Sequence, residues 1–315
     1  MVVGHSLIKR VLFATDFSAC AHHAEEYVAS LSTVYGATVE VLHVLELYPG
    51  IYPAVQDHRE TDERLADAVH RLQRKTISVT GHQMTGIPSV QICQAAMQHD
   101  TDLIVLGTHG RTGLAHILLG STAERVLTIA PCPVLTVRES EGSEKRRTGA
   151  PITFEHIVVP IDFSDCSMDA LEYGIQMAKD AGASLTLLHI LEPVSYGDDL
   201  TLGHTPDQGR VDLQIDSELR AYVTTIQAAG VSVRYMIRGG VPADSILEWV
   251  RSSACDLIVM GTHGRRGMSR ILNGSVAEAV LRRASCPVFA VRTPKFASGR
   301  QRMMQMETEP MRRPT

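Results

Sequence analysis

The sequence predicts an α/β protein of two tandem domains, each a doubly wound open parallel sheet with helices on both faces. Each sheet has five strands in the order 3-2-1-4-5. Three observations predict it: the chain repeats itself once, short apolar runs alternate with longer helical patterns in each copy, and two runs per copy are apolar throughout. Asp16 returns as Asp162 and His43 as His189, an offset of 146. Asp102-Leu103-Ile104-Val105-Leu106-Gly107-Thr108-His109-Gly110-Arg111 returns as Asp256-Leu257-Ile258-Val259-Met260-Gly261-Thr262-His263-Gly264-Arg265, an offset of 154. The second copy therefore carries eight more residues between His189 and Pro242. A period this long marks domain duplication, because solenoid repeats run about 20–50 residues.

In the first copy Val11 to Ala14 reads as strand 1, and Ala19 to Tyr35 as a helix stopped by Gly36. Thr38 to Val44 is strand 2, Thr61 to Lys75 a helix, and Ile77 to Val79 a short strand 3 weakened by Gly81. Val90 to Gln98 is a helix, Leu103 to Leu106 strand 4, Thr122 to Ile129 the last helix and Val134 to Val137 strand 5. The second copy has the fuller third strand, Val231 to Ile237. Strands 1 and 4 are apolar on both sides, as in a parallel sheet covered on both faces. Alternating strands and helices favour right-handed crossovers. The domains are expected at residues 1–140 and 154–293, with a polar linker at 141–153 and a polar, disordered tail at 294–315. The last strands, Pro133 to Arg138 and Pro287 to Arg292, would be open edges whose unpaired N–H and C=O groups favour pairing with another domain.

Composition narrows the functional classes. A formal charge of −5 gives no general electrostatic reason to bind nucleic acid. Runs such as Leu103-Ile104-Val105-Leu106 fall far short of the roughly 18 apolar residues of a membrane span. Met1 to Arg10 lacks the apolar core and small-residue cleavage site of a secretory signal, so the cytosol is the expected location. The six cysteines include no C-x-x-C and read as small buried hydrophobes.

In the 3-2-1-4-5 order the winding reverses between strands 1 and 4, and ligands in open α/β sheets sit beyond the strand ends at that point. Strand 1 runs out at Asp16 and strand 4 at Gly107. After strand 4 comes Gly107-Thr108-His109-Gly110, then Gly120-Ser121-Thr122 opening a helix. The second copy has Gly261-Thr262-His263-Gly264, then Gly274-Ser275-Val276. Both satisfy G-x2-G-x9-G-S. Glycines let the backbone approach a ligand closely. Ser121 and Ser275 stand where an N-cap would be, with free N–H groups behind them, so the arrangement suits a polyphosphate. Asp16 and Asp162 can accept a hydrogen bond from an adenine amino group or a ribose hydroxyl. The loop is neither a P-loop, having no G-x4-G-K-[S/T], nor a G-x-G-x-x-G dinucleotide fingerprint. Within it, His109 and His263 read as turn-fixing residues. His43 and His189 read as structural histidines of strand 2, and Trp249 as core.

These residues resemble the universal stress protein family in its tandem form. The resemblance rests on the two G-x2-G-x9-G-S loops, on the Asp-Phe-Ser after strand 1 and on Cys132-Pro133-Val134 with Cys286-Pro287-Val288. It implies an adenine-nucleotide-binding domain that dimerises and acts as a regulator or sensor in stress adaptation, with ATP, with or without Mg2+, as ligand. By position, the adenine and ribose would meet Ala14, Asp16, Val44, Leu106 and Gly107 in the first copy, and Pro160, Asp162, Ile190, Met260 and Gly261 in the second. Phosphates would meet Gly110, Gly120, Ser121 and Thr122, and Gly264, Gly274, Ser275 and Val276. The family pairs through its last strand, so the resemblance implies that the two copies pair with each other inside one chain; a regulatory protein partner and a homodimer are expected, and no catalytic or metal-ligating residue is assigned. Two other functions remain open at this stage: an enzyme, as a slow ATPase or nucleotide-activating transferase, and a scaffold with vestigial sites. The absence of S-G-G-x-D-S and H-x-G-H argues against the transferase.

Overall fold

The structure, a computed structural model, describes residues 7–46, 55–75, 78–108, 119–138, 152–192, 206–262 and 275–292. The first half runs β1 (Arg10–Ala14), α1 (Ala19–Tyr35), β2 (Thr38–Glu46), α2 (Val55–Gln73), β3 (Val79–Gly86), α3 (Pro88–Gln98), β4 (Leu103–Gly107), α4 (Ser121–Ile129) and β5 (Val134–Val137). The second runs β6 (His156–Pro160), α5 (Asp165–Ala181), β7 (Ser184–Leu191), α6 (Pro206–Ala228), β8 (Val233–Gly239), α7 (Pro242–Ser252), β9 (Leu257–Gly261), α8 (Ser275–Arg283) and β10 (Val288–Val291). Local chemistry sets several of these limits. Ser18 and Ser164 cap α1 and α5 by accepting the N–H groups of Ala21 and Ser167. Gly36 and Gly182 stop the same helices in the left-handed conformation, at φ 63° and 67°. Pro88 and Pro242 open α3 and α7, where a missing N–H costs no helix bond.

The ten strands form one sheet in the order β3-β2-β1-β4-β5-β10-β9-β6-β7-β8. Neighbours within each half are parallel, and the halves meet where β10 pairs antiparallel with β5. The expected 3-2-1-4-5 winding is therefore present twice, and the two last strands close each other's edge. Leu135 lies opposite Phe289, with Val134 opposite Ala290 and Thr136 opposite Val288. Leu135 and Phe289 are repeat equivalents, 154 residues apart, so the local two-fold axis passes between them. Both are fully buried.

One apolar cluster fills the sheet face under α1, α2, α5 and α6, and a second fills the face under α3, α4, α7 and α8. Each extends through both halves. Further ties cross the border. The Arg138 guanidinium donates to the Arg282 carbonyl at 2.7 Å, Ile152 N–H donates to Ser30 Oγ at 2.8 Å, and the Tyr27 and Phe154 rings stack 6.2 Å apart. Five cysteines are buried, Cys166 is half-buried, and all six are free thiols. Burial pushes the Cys93 thiol up to about 11, which suits a packing role. Trp249 is core, at 4% exposure.

Two third strands lie later than the apolar pattern indicates. The strand expected at Ile77 to Val79 runs instead from Val79 to Gly86, and that expected at Val231 to Ile237 runs from Val233 to Gly239. Both are edge strands, exposed along much of their length, so burial imposes little hydrophobic pattern on them. Gly81 does not break its strand. A Cβ there would stand 2.6 Å from Val69 Cγ2, so the glycine lets α2 lie close over β3. The linker, apart from its last residues, and the tail beyond Arg292 lie outside the described residues.

Phe289 fills the seam between the halves and packs on Tyr173 at 5.3 Å. Phe289→Ala is expected to lower the unfolding free energy by about 3–5 kcal/mol, the cost of emptying a buried aromatic site, measured by urea denaturation.

Candidate functional site

The reversal of winding places the ends of β1 and β4 side by side, Ala14 opposite Leu106. Beyond β1 the chain makes one tight turn, and makes it again in the second half. Thr15 N–H extends the ladder to the Leu42 carbonyl at 2.9 Å. Ser18 N–H then bonds back to Asp16 Oδ1 at 3.0 Å, while the Ser18 hydroxyl receives Ala21 N–H at 3.2 Å and starts α1. This bend holds Phe17 at φ 61°, a conformation that bulky side chains rarely adopt. Its ring stacks on His43 at 4.5 Å, and His43, itself buried, donates from Nδ1 to the Thr15 carbonyl at 2.7 Å.

In the second half Ile161 N–H reaches the Leu188 carbonyl, Ser164 donates both N–H and hydroxyl to Asp162 Oδ1 (3.0 and 2.6 Å), and Phe163 has φ 61° beside His189. His189 donates to the Ile161 carbonyl at 2.7 Å. Both histidines thus hold the turn, in agreement with their structural reading. The strained phenylalanines are what sequence reasoning missed; the repeated Asp-Phe-Ser was their only trace.

Beyond β4, Thr108 N–H donates to the Val137 carbonyl at 2.9 Å, and the Thr108 carbonyl receives Gly120 N–H at 2.7 Å. Those two bonds return the chain, after the glycine loop, to the strand end it left. Helix α4 then begins. Its N-cap is Gly120 (φ −60°, ψ 143°), and no side chain caps it. Ser121 is the first helical residue and not the cap, one position later than its residue type suggests. Helix α4 therefore presents its first N–H groups, with the positive end of its dipole, at the reversal point, and its N-cap has no side chain to accept them. Helix α8 starts at Ser275, and Thr262 N–H bonds the Val291 carbonyl at 2.9 Å, as Thr108 does in the first half.

Beside these amides lies an apolar floor. Ala14 and Leu106 belong to the cluster under α3 and α4, and Val44 packs against it; Met260 and Ile190 take the positions of Leu106 and Val44 in the second half, where Val276, the equivalent of Thr122, also packs against the cluster. Asp16 and Asp162 stand half-buried at its rim. Apolar strand ends followed by a carboxylate on one strand and a helix N-terminus after the other have the polarity of a nucleotide site.

The family model described as Universal stress protein family matches residues 7–138 and again residues 153–292. The chain belongs to the universal stress protein family. A universal stress protein of Synechocystis is 25% identical over 318 residues, covering 90% of this chain and all of that one. One of Methanocaldococcus jannaschii is 34% identical over 149 residues, 45% of this chain and 84% of its own. Among solved structures, a universal stress protein from Archaeoglobus fulgidus superposes with a TM-score of 0.69 at 25% identity, covering 92% of this chain and 99% of that one.

In this universal stress protein the structure brings Ala14, Asp16, Val44, Leu106, Gly107, Gly120, Ser121 and Thr122 to one end of the first half. Pro160, Asp162, Ile190, Met260, Gly261, Ser275 and Val276 lie at the corresponding end of the second. Gly110, Gly264 and Gly274, with His109 and His263, lie outside the described residues. Gly107 and Gly261 have a packing task. A Cβ on Gly107 would meet Cys20 Cβ at 2.9 Å, and one on Gly261 would meet the Cys166 carbonyl carbon at 2.7 Å. The missing side chains let α1 and α5 start directly against β4 and β9. No helix among the described residues is long and apolar enough to cross a membrane.

Because helix backbone cannot step aside at Cys166, Gly261→Ala is expected to destabilise the protein by about 1–3 kcal/mol through overpacking, seen as a lower thermal midpoint.

Proposed function

We propose that each half of this universal stress protein binds one adenine nucleotide, ATP with or without Mg2+, and that the loaded chain acts as a stress-response regulator or sensor in the cytoplasm. One observation carries the reading: at the reversal point, the Gly120–Thr108 hydrogen bond sets the start of α4 beside the end of β4, and no side chain caps that helix. Amides so placed attract an anion, and the dipole behind them adds to the attraction. The adenine would lie on Ala14, Val44 and Leu106, with Asp16 and Gly107 at the ribose. Gly110, Gly120, Ser121 and Thr122 would receive the phosphates. In the second half Pro160, Ile190 and Met260, then Asp162 and Gly261, then Gly264, Gly274, Ser275 and Val276 take these parts. The output passes to a regulatory protein partner, with neither nucleic acid nor membrane as target.

Calorimetry with ATP and AMP tests this. Saturable heat with up to two nucleotides per chain is expected, and the paired substitutions Gly110→Val and Gly264→Val should abolish it. No saturable heat with the unaltered chain would refute the proposal. ATP turnover above about 1 per second, within the range of ordinary enzymes, would transfer the protein to the ATPase reading.

A further inference from the structure

The halves of the repeat are electrically unequal at their shared border. Glu124 lies in the first turn of α4 and Glu278 in the first turn of α8, and the two are repeat equivalents, 154 residues apart. Arg282 stands between them. Its Nε and Nη2 reach Glu278 Oε1 at 3.0 and 2.9 Å, and Nη2 also reaches Glu124 Oε2, across the border, at 3.4 Å. The equivalent of Arg282 in the first half is Thr128, whose hydroxyl turns back to the Glu124 carbonyl at 2.8 Å. One guanidinium therefore serves two carboxylates, one in each half. Its helix is held in place: Arg138 bonds the Arg282 carbonyl, and the neighbouring Arg283 is paired with Asp244 at 2.7 Å. All three charged groups are between 24% and 31% exposed, so solvent and salt screen them only in part.

We propose that Arg282 couples the two nucleotide sites, so that filling one weakens the other. The inference rests on the nucleotide reading above. A phosphate chain is favoured at a helix N-terminus, and a carboxylate in the same first turn opposes it. In the empty protein Arg282 offsets both carboxylates together. Phosphates arriving at α4 add negative charge on the Glu124 side and draw the guanidinium field towards that half. Glu278 is then less well compensated, and a second phosphate chain meets a more negative α8. A single cation cannot serve both ends in full. The expected coupling is about two- to fivefold in affinity, the size of one partly exposed charge acting at a helix end.

The test compares the unaltered chain with versions in which one site at a time is disabled, Gly110→Val or Gly264→Val, titrated with ATP in a calorimeter at low salt. Gly110→Leu and Gly264→Leu, equally neutral, replace any valine variant whose circular dichroism departs from the parent. The product of the two single-site association constants should exceed the overall two-site constant of the unaltered chain by the coupling factor. The excess should vanish in Arg282→Gln and persist in Arg282→Lys, which keeps the charge. Two sites that fill with no such excess would overturn this inference and leave the nucleotide reading standing. An excess unchanged in Arg282→Gln would overturn the role of the arginine, and no ATP heat at all would overturn both.

Discussion

Strands β5 and β10, four residues each, pair antiparallel over three positions, and that pairing joins the two halves into one ten-stranded sheet. A parallel five-stranded sheet ends in an exposed edge wherever its last strand stops. Here each half supplies the other's missing neighbour, antiparallel, about an axis between Leu135 and Phe289. Both strands are buried along their whole length. The same seam fixes Thr108 and Thr262, because their N–H groups bond the carbonyls of Val137 and Val291. Each candidate site is therefore anchored on the strand that joins the halves.

Anchoring gives the site its shape through backbone more than through side chains. At the end of β1 an Asp-Phe-Ser turn forces a phenylalanine to positive φ, and a buried histidine supports the ring and the preceding carbonyl. A non-glycine residue held in this conformation costs of order 1–3 kcal/mol and persists only when its surroundings over-determine it. It occurs at the equivalent position in both halves. At the end of β4 glycine admits the start of α1, and α4 then begins with no side chain on its N-cap. The strain follows the end of β1 and the uncapped helix start follows β4, the two strands between which the winding reverses.

Much of this was legible in the sequence because burial writes a pattern. Strands β1 and β4 are covered on both faces and read as unbroken apolar runs, and duplication doubled every motif. The exposed edges β3 and β8 begin two residues later than the apolar pattern indicates, and β3 ends seven later, since half-solvated strands can carry Thr, Gly, His and Arg. Serine is the better cap by residue type, which points to Ser121, yet the glycine before it has the extended backbone of an N-cap. Asp16 could be placed at the strand end, but not its bond to Ser18 N–H. Nor could Gly107 be assigned to helix clearance, because Cys20 approaches it only in the folded chain.

The central claim is that the helix starts beyond β4 and β9, at the two reversal points, hold adenine nucleotides. Mass spectrometry of the intact folded chain, sprayed from a volatile buffer containing ATP, tests it most directly. The account predicts mass additions of one and two nucleotides that survive a tenfold excess of inorganic phosphate. A chain that keeps its bare mass at saturating ATP would contradict it.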